Sequence, residues 1–292
     1  MNSFTIKDLS NLSGVKAHTL RIWEQRYNFL KPERSFTNIR YYSSEELKTI
    51  LNIALLNKYG FKISHIDKMS SSEMSQKILQ LHQAEAQQEK IVNDLVNQMI
   101  EMDMEGFSDS LDSYTKSKGL DKMIMQLIFP FLEKIGILWL TNHINPAQEH
   151  LVSNMIRQKL IAGIDSCNVP FTSPNKVLLF LPEGEFHEMG LLFIHFLLRR
   201  QGVRAMYMGA DLPFEDLAYV VKHKKPDYIY CHLTSYGGGV RFDRFLFNLE
   251  QQFKPIPIII SGKITHTYEK KIKPPVFFKK TIAETVSFVE SL

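Results

Sequence analysis

The chain has 292 residues, 44% of them hydrophobic, with 35 Lys and Arg against 31 Asp and Glu, enough for two or three domains that each bury a core. Its two cysteines, Cys167 and Cys231, are far apart and neither has a Cys-x-x-Cys partner, which argues against a disulfide framework or a thiolate metal site. No apolar run approaches the roughly 20 residues of a membrane span; Leu191 to Leu198 stops at Arg199-Arg200, and Lys7 and Asp8 interrupt the place of a secretory segment. The expectation is a soluble, cytoplasmic protein with no membrane partner.

From the N-terminus, Phe4-Thr5-Ile6 leads into Leu9, Leu12, Gly14 and Val15, then Thr19-Leu20-Arg21-Ile22-Trp23-Glu24. Apolar positions at helical spacing flank a tight turn at Ser13-Gly14, the pattern of a helix-turn-helix with Leu9, Val15 and Leu20 as core. A β-ribbon wing is expected over Phe36 to Tyr42, and Ser43-Ser44-Glu45-Glu46 reads as a capping box opening helices over Leu47 to Ile66. Residues 1 to 75 hold eleven Lys and Arg against seven Asp and Glu, so the whole positive surplus lies here and the rest of the chain balances. A surplus confined to this segment favours a phosphate-binding surface over an ordinary solvated face. The second helix, about Ala17 to Arg26, is then the one for a major groove, with His18, Thr19 and Arg21 on or near its exposed side. Lys16, Arg34, Arg40 and Tyr41 are candidates for phosphates or the adjacent minor groove, and Trp23 stands open between core and phosphate packing.

Ser70-Ser71-Ser72 reads as a linker or a helix cap. From Gln76 to Asn168, helical periodicity (Ile78, Leu81, Ile91, Leu95, Met99; then Met123, Leu127, Ile128, Phe131, Ile135) is broken near Met102-Asp103, Lys118-Gly119 and Asn142 to Asn145. That spacing predicts a four-helix bundle. Within it, Trp139 is followed after nine residues by Glu149-His150, with Pro146 opening the new helix.

Beyond the linker at residues 170 to 175, short apolar runs recur at Val177 to Leu181, Val203 to Met208, Tyr228 to Cys231, Ile256 to Ile260 and Val276 to Phe278, with helical patterns between. Five strands alternating with helices predict a five-stranded parallel sheet of flavodoxin-like (Rossmann-like) topology, with ligands outside the carboxyl ends of the strands. Glu185-Phe186-His187-Glu188-Met189-Gly190 falls on that edge after the first strand, Ser235 and Gly237 to Gly239 after the third, and Ser261-Gly262 after the fourth. The plain alternative is a solvated loop histidine, a core tryptophan and ordinary Gly-rich turns.

The N-terminal helices and ribbon look like the MerR family of winged-helix regulators over about the first 70 residues. The pairing of Trp-x9-Glu-His with Glu-x-His-x-x-Gly resembles the helical and α/β modules of cobalamin-binding proteins. Together they resemble the light-responsive, adenosylcobalamin-dependent MerR regulators of the CarH/LitR type. The resemblance implies three domains: residues 1–70 for DNA, 76–168 as a cobalamin cap and 175–292 as the cobalamin-binding α/β domain. It implies that His187 binds cobalt in place of the cofactor's own base, with Glu185 tuning it and Gly190 completing the string. Trp139, Glu149 and His150 cover the upper face, and the nucleotide tail runs past Ser235 or the Gly237 turn and beside Ser261 and Gly262. Double-stranded operator DNA, a homo-oligomer (dimer or tetramer) and RNA polymerase are the implied partners, and no enzymatic activity is expected. The lack of cysteine clusters argues against the metal-sensing branch of the MerR family. The sequence departs from the cobalamin pattern where His232-Leu233-Thr234 replaces Ser-x-Leu, Ser261-Gly262 replaces Gly-Gly, and Leu140 follows the tryptophan in place of histidine. Two alternatives remain: a regulator that lost cobalamin and answers to a partner protein, and a corrinoid methyl carrier, for which a winged helix has no use.

Overall fold

A computed structural model describes residues 3–140, 144–234 and 240–292, the side chains of Ile137, Trp139, Leu140 and Val240 excepted. The chain gathers into two compact units, Met1–Met155 and Ile156–Leu292.

In the first unit, α1 (Ile6–Ser13) opens on a capping box between Thr5 and Asp8 and ends at Gly14, whose φ of 72° permits the left-handed turn and whose N–H closes onto the Ser10 carbonyl. The helix α2 (Ala17–Arg26) follows at once, and Leu9, Leu12, Leu20 and Trp23 are buried between the two. Trp23 is 7% exposed and meets Phe29 edge-on at 6.1 Å, so it belongs to the core. The wing is β1 (Glu33–Arg34) paired antiparallel with β2 (Arg40–Tyr41). It begins before the expected stretch, and Phe36 lies in the connecting turn, fully exposed. Beside the wing, Phe4 and Tyr42 exchange backbone hydrogen bonds of 2.8 Å, which ties the N-terminus to the ribbon.

The Ser43/Glu46 capping box opens α3 (Ser44–Lys58), followed by α4 (Ile63–Ile66). Ser70 and Glu73 form a further capping box on α5 (Ser71–Leu79), so the serine run is a cap. The bundle comprises α6 (Ala84–Glu101), α7 (Met104–Lys118), the short α8 (Leu120–Met123), a π turn over Ile124–Ile128 that runs into α9 (Phe129–Leu140), and α10 (Pro146–Asp165). Asp103 caps α7 through the Gly106 N–H, and Gly119 takes a φ of 92° at its end. The π turn interrupts an apolar periodicity that reads as one helix; the Gln126 carbonyl within it accepts from the Gln88 amide at 2.7 Å. Val92, Leu95, Phe107, Leu111, Leu127 and Phe131 form the buried seam. Within this unit α3 packs on α6 and α1 on α9. Lys134 of α9 donates to the Leu12 carbonyl (3.1 Å) and to Asn93 Oδ1 (2.6 Å), and burial lowers its pKa.

The second unit alternates β3 (Lys176–Phe180), α11 (Glu188–Arg200), β4 (Arg204–Tyr207), α12 (Phe214–Lys224), β5 (Tyr228–His232), α13 (Val240–Phe253), β6 (Ile258–Ser261), α14 (Ile264–Thr267), β7 (Val276–Lys279) and α15 (Ile282–Glu290). The five strands pair in parallel in the order β4-β3-β5-β6-β7, the flavodoxin-like arrangement. Val177 to Phe180 and all of β6 are buried, as expected of strands covered on both faces. The strand order reverses between β3 and β5, which places a crevice at their carboxyl ends.

Candidate cofactor site and DNA-binding surface

His187 stands at this switch point because of how the chain leaves β3. Leu181 accepts from Leu212 and donates to Gly209, and Gly184, at φ 84°, donates to Asp211 Oδ1 at 2.8 Å. The resulting turn buries Glu185 completely and leaves the His187 side chain 54% exposed at the N-cap of α11. Glu185 Oε2 accepts from the Thr234 N–H (3.0 Å), and Oε1 accepts from the His187 N–H (3.1 Å) and lies 2.5 Å from His187 Nδ1. A carboxylate so placed puts the ring proton on Nδ1, which leaves Nε2 as the acceptor nitrogen of the ring. In the first turn of α11, Glu188 is anchored by Arg157 (2.8 Å) and the Tyr207 hydroxyl (3.0 Å).

Gly190, Ser261 and Gly262 come together at the same edge, but packed against other parts of the chain. Ser261 is buried and takes the Tyr230 hydroxyl hydrogen bond at 2.8 Å, with His232 Nδ1 2.9 Å away. The His232 ring lies against Gly190, and the Leu233 carbonyl against Gly262. Sequence reading gave His232 no role; the only signal was its place where the cobalamin pattern has serine. Burial pulls its pKa down to about 4. Ser235 and Gly237 lie outside the described residues, as do the side chains of Trp139 and Leu140. In the first unit, Glu149 accepts from Ser153 at 2.6 Å, and His150 beside it is exposed.

On the opposite end of the sequence, Lys16, His18 and Arg21 are exposed around the start of α2, with Thr19 partly covered. Arg34 and Arg40 are engaged elsewhere: both bind Glu24 of α2, at 3.2 Å and 2.7 Å, and Arg34 also reaches Asn38 at 2.8 Å. The Tyr42 hydroxyl points at the same carboxylate (3.4 Å), and burial together with the Glu24 charge pushes its pKa up to about 12. Glu24 is thus a clamp between α2 and the wing, a role the sequence did not disclose. Tyr41 is partly buried, and Phe36 and Ile39 are exposed around the turn.

Residues 4–73 match the MerR HTH family regulatory protein, and residues 91–162, from α6 into α10, match the B12 binding domain. The chain therefore joins a MerR-type DNA-binding region to a B12-binding region and a parallel sheet, the build of a cobalamin-controlled DNA-binding regulator. It is similar to two proteins of Myxococcus xanthus. With the HTH-type transcriptional repressor CarA it shares 27% identity over 88% of this chain and 85% of the relative, and with the HTH-type transcriptional repressor CarH 27% over 91% of each. The monomethylamine corrinoid protein of Methanosarcina barkeri, at 12% identity and a TM-score of 0.53, shares the fold over 69% of this chain and 98% of its own.

The residues at the sheet edge meet the needs of an axial ligand to such a cofactor. Among the described residues no three His, Cys, Asp or Glu side chains gather into a metal cage. A metal held in its own macrocycle would need only one imidazole from the protein, and the exposed His187, held from behind by the buried Glu185, presents one at this edge.

Proposed function

We propose that the chain is a non-enzymatic transcription repressor in which adenosylcobalamin, and light through it, controls assembly and thereby operator affinity. The observation that carries this reading is the Glu185–His187 pair: a fully buried carboxylate orienting an exposed imidazole at the switch point of the sheet. In this reading His187 is the lower cobalt ligand, Gly190, Ser235, Gly237, Ser261 and Gly262 border the tail, and Trp139, Glu149 and His150 close the upper face. The bound cofactor supplies a cobalt–carbon bond that light can break. Leucine at position 140 has no atom that could ligate cobalt, so this position would supply no second imidazole to the cofactor.

The three-domain division, 1–70, 76–168 and 175–292, belongs to this reading, as do a dimer or tetramer on a two-fold operator and RNA polymerase as a partner. In the DNA-bound form Lys16, His18, Thr19 and Arg21 meet the major groove and its phosphates, while Arg34, Arg40 and Tyr41 set the wing. A route for the signal runs through α9, which carries Trp139 near its end and, through Lys134, a hydrogen bond to Leu12 of α1. No helix among the described residues is long and apolar enough to cross a membrane, and a cytoplasmic location belongs to the same reading. Absorption spectra and size-exclusion profiles of the full chain with adenosylcobalamin, in the dark and after green light, test the proposal. A histidine-ligated spectrum in the dark and a light-dependent change of oligomer size support it; a free-cofactor spectrum and constant size reject it.

One observation favours a second reading, a regulator without cobalamin that answers to a partner protein. The two glycines at the sheet edge are occupied by the chain itself.

A further inference from the structure

One turn beyond His187, the space of a side chain at Gly190 is already filled. A Cβ there would stand 2.3 Å from both Cδ2 and Nε2 of His232 and 2.7 Å from its Cε1. His232 closes β5, and its Nδ1 lies 2.9 Å from the hydroxyl of Ser261, its register partner on β6. One edge of the ring is fixed by that hydrogen bond and the other by the α11 backbone. With its pKa held to about 4 by burial, the imidazole is neutral at physiological pH and packs as an uncharged ring. The second glycine of this edge is used in the same way. Gly262 sits at φ 96°, and a Cβ on it would stand 2.3 Å from the Leu233 carbonyl oxygen. Neither glycine holds a channel open; each lets another part of the chain close in.

That packing bears on which corrinoid fits. A corrin ring ligated from below by His187 turns its lower face to this edge. In cobalamin the nucleotide tail is tethered to that face, and once His187 takes the cobalt the released base must pass down beside it. Next to His187, between the first turn of α11 and the ends of β5 and β6, stands the His232 ring, against Gly190 and within hydrogen-bond distance of Ser261.

We propose that His232 is a plug that sets corrinoid specificity, so that a corrinoid without the nucleotide tail, of the cobinamide kind, binds more tightly than complete cobalamin. Complete cobalamin enters when the ring leaves Ser261. The inference rests on the cobalamin-binding reading above, and its test separates the two.

The full chain is titrated in the dark with aquocobinamide and with aquocobalamin, followed by visible absorption and equilibrium dialysis, as wild type, His232→Ser and His232→Ala. For the wild type, cobinamide should bind roughly tenfold or more tighter than cobalamin, the scale of an overpacking cost. In both variants cobalamin should gain affinity until the two ligands agree within roughly threefold. Cobalamin binding to the wild type as tightly as cobinamide overturns the plug without recourse to any variant, so a variant that fails to fold leaves the question decided. A wild-type preference that persists in folded His232 variants also overturns it, because the discrimination then lies elsewhere. Binding of neither corrinoid to any form removes the cobalamin reading itself, and the plug with it. Binding of cobalamin by the variants alone supports the plug in its strongest form.

Discussion

Glu185 and His187 divide the work of the sheet edge between a buried charge and an exposed ring. The carboxylate is fixed from two sides, by the Thr234 N–H and by the backbone and ring of His187, so the imidazole orientation is set before any ligand arrives. Replacing the carboxylate by an amide keeps the volume and an acceptor but loses the charge that holds the proton on Nδ1. Glu185→Gln should therefore weaken corrinoid binding about 10–100-fold, the usual cost of losing a partner behind a metal ligand, while thermal unfolding stays near wild type. Spectroscopic titration reads the first and circular dichroism the second; unchanged affinity would show that the carboxylate serves folding alone. The Glu-x-His-x-x-Gly string was legible in the sequence because three chemically distinct residues lie within six positions. The His232 contact was not, since it joins residues of β5 and α11 that only the strand order brings together, and nothing local to either position encodes it.

At the level of elements, the wing is braced to α2 and is not a separate arm. Glu24 takes Arg34, Arg40 and the Tyr42 hydroxyl, so the ribbon is braced to α2 by one carboxylate with little solvent access. This sets two effects against each other in Glu24→Gln. Removal of a negative charge from a DNA-facing module strengthens phosphate attraction, whereas release of the wing spoils the geometry that places Arg21 and the ribbon together. The clamp is partly buried and shared by three groups, so geometry should win, and operator affinity in a mobility-shift titration should fall by about 1–3 kcal/mol, the size of a base contact. Tighter binding by the variant would mean that the brace is dispensable. The elements themselves were mostly legible: capping boxes, helix breaks and buried strands each carry a local chemical signature. The wing limits were not, because Phe36 is an apolar residue in a turn, and apolarity alone does not separate a ribbon strand from its tip. The π turn stayed hidden for a related reason, since its side chains keep an apolar periodicity that also suits an uninterrupted α-helix.

Across the whole molecule, two half-buried histidines tie stability to pH. His195, stacked on Tyr207 at 5.2 Å, and His232 are both held near about 4 by burial, below the ordinary 6.5. Each is neutral in the folded state, so the stability it contributes is complete above pH 6.5 and drains away as pH falls toward 4, on the order of 1–3 kcal/mol per histidine. Thermal unfolding should show Tm dropping between pH 6.5 and 4.5, with a shallower drop in His195→Phe, which keeps the stacking and removes the proton site; equal slopes in the two proteins would contradict this. In the proposed reading the link between cofactor and DNA runs through α9, whose Lys134 donates to Leu12 of α1. Fluorescence anisotropy with DNA from the chain's own promoter, in the dark, with and without saturating adenosylcobalamin, tests that link most directly. The account predicts that the cofactor tightens operator binding by at least roughly tenfold, about 1.4 kcal/mol of coupling, and that His187→Ala loses the effect while keeping its cofactor-free affinity. An operator affinity that does not change, in a protein whose spectrum shows the corrinoid bound through histidine, would contradict it.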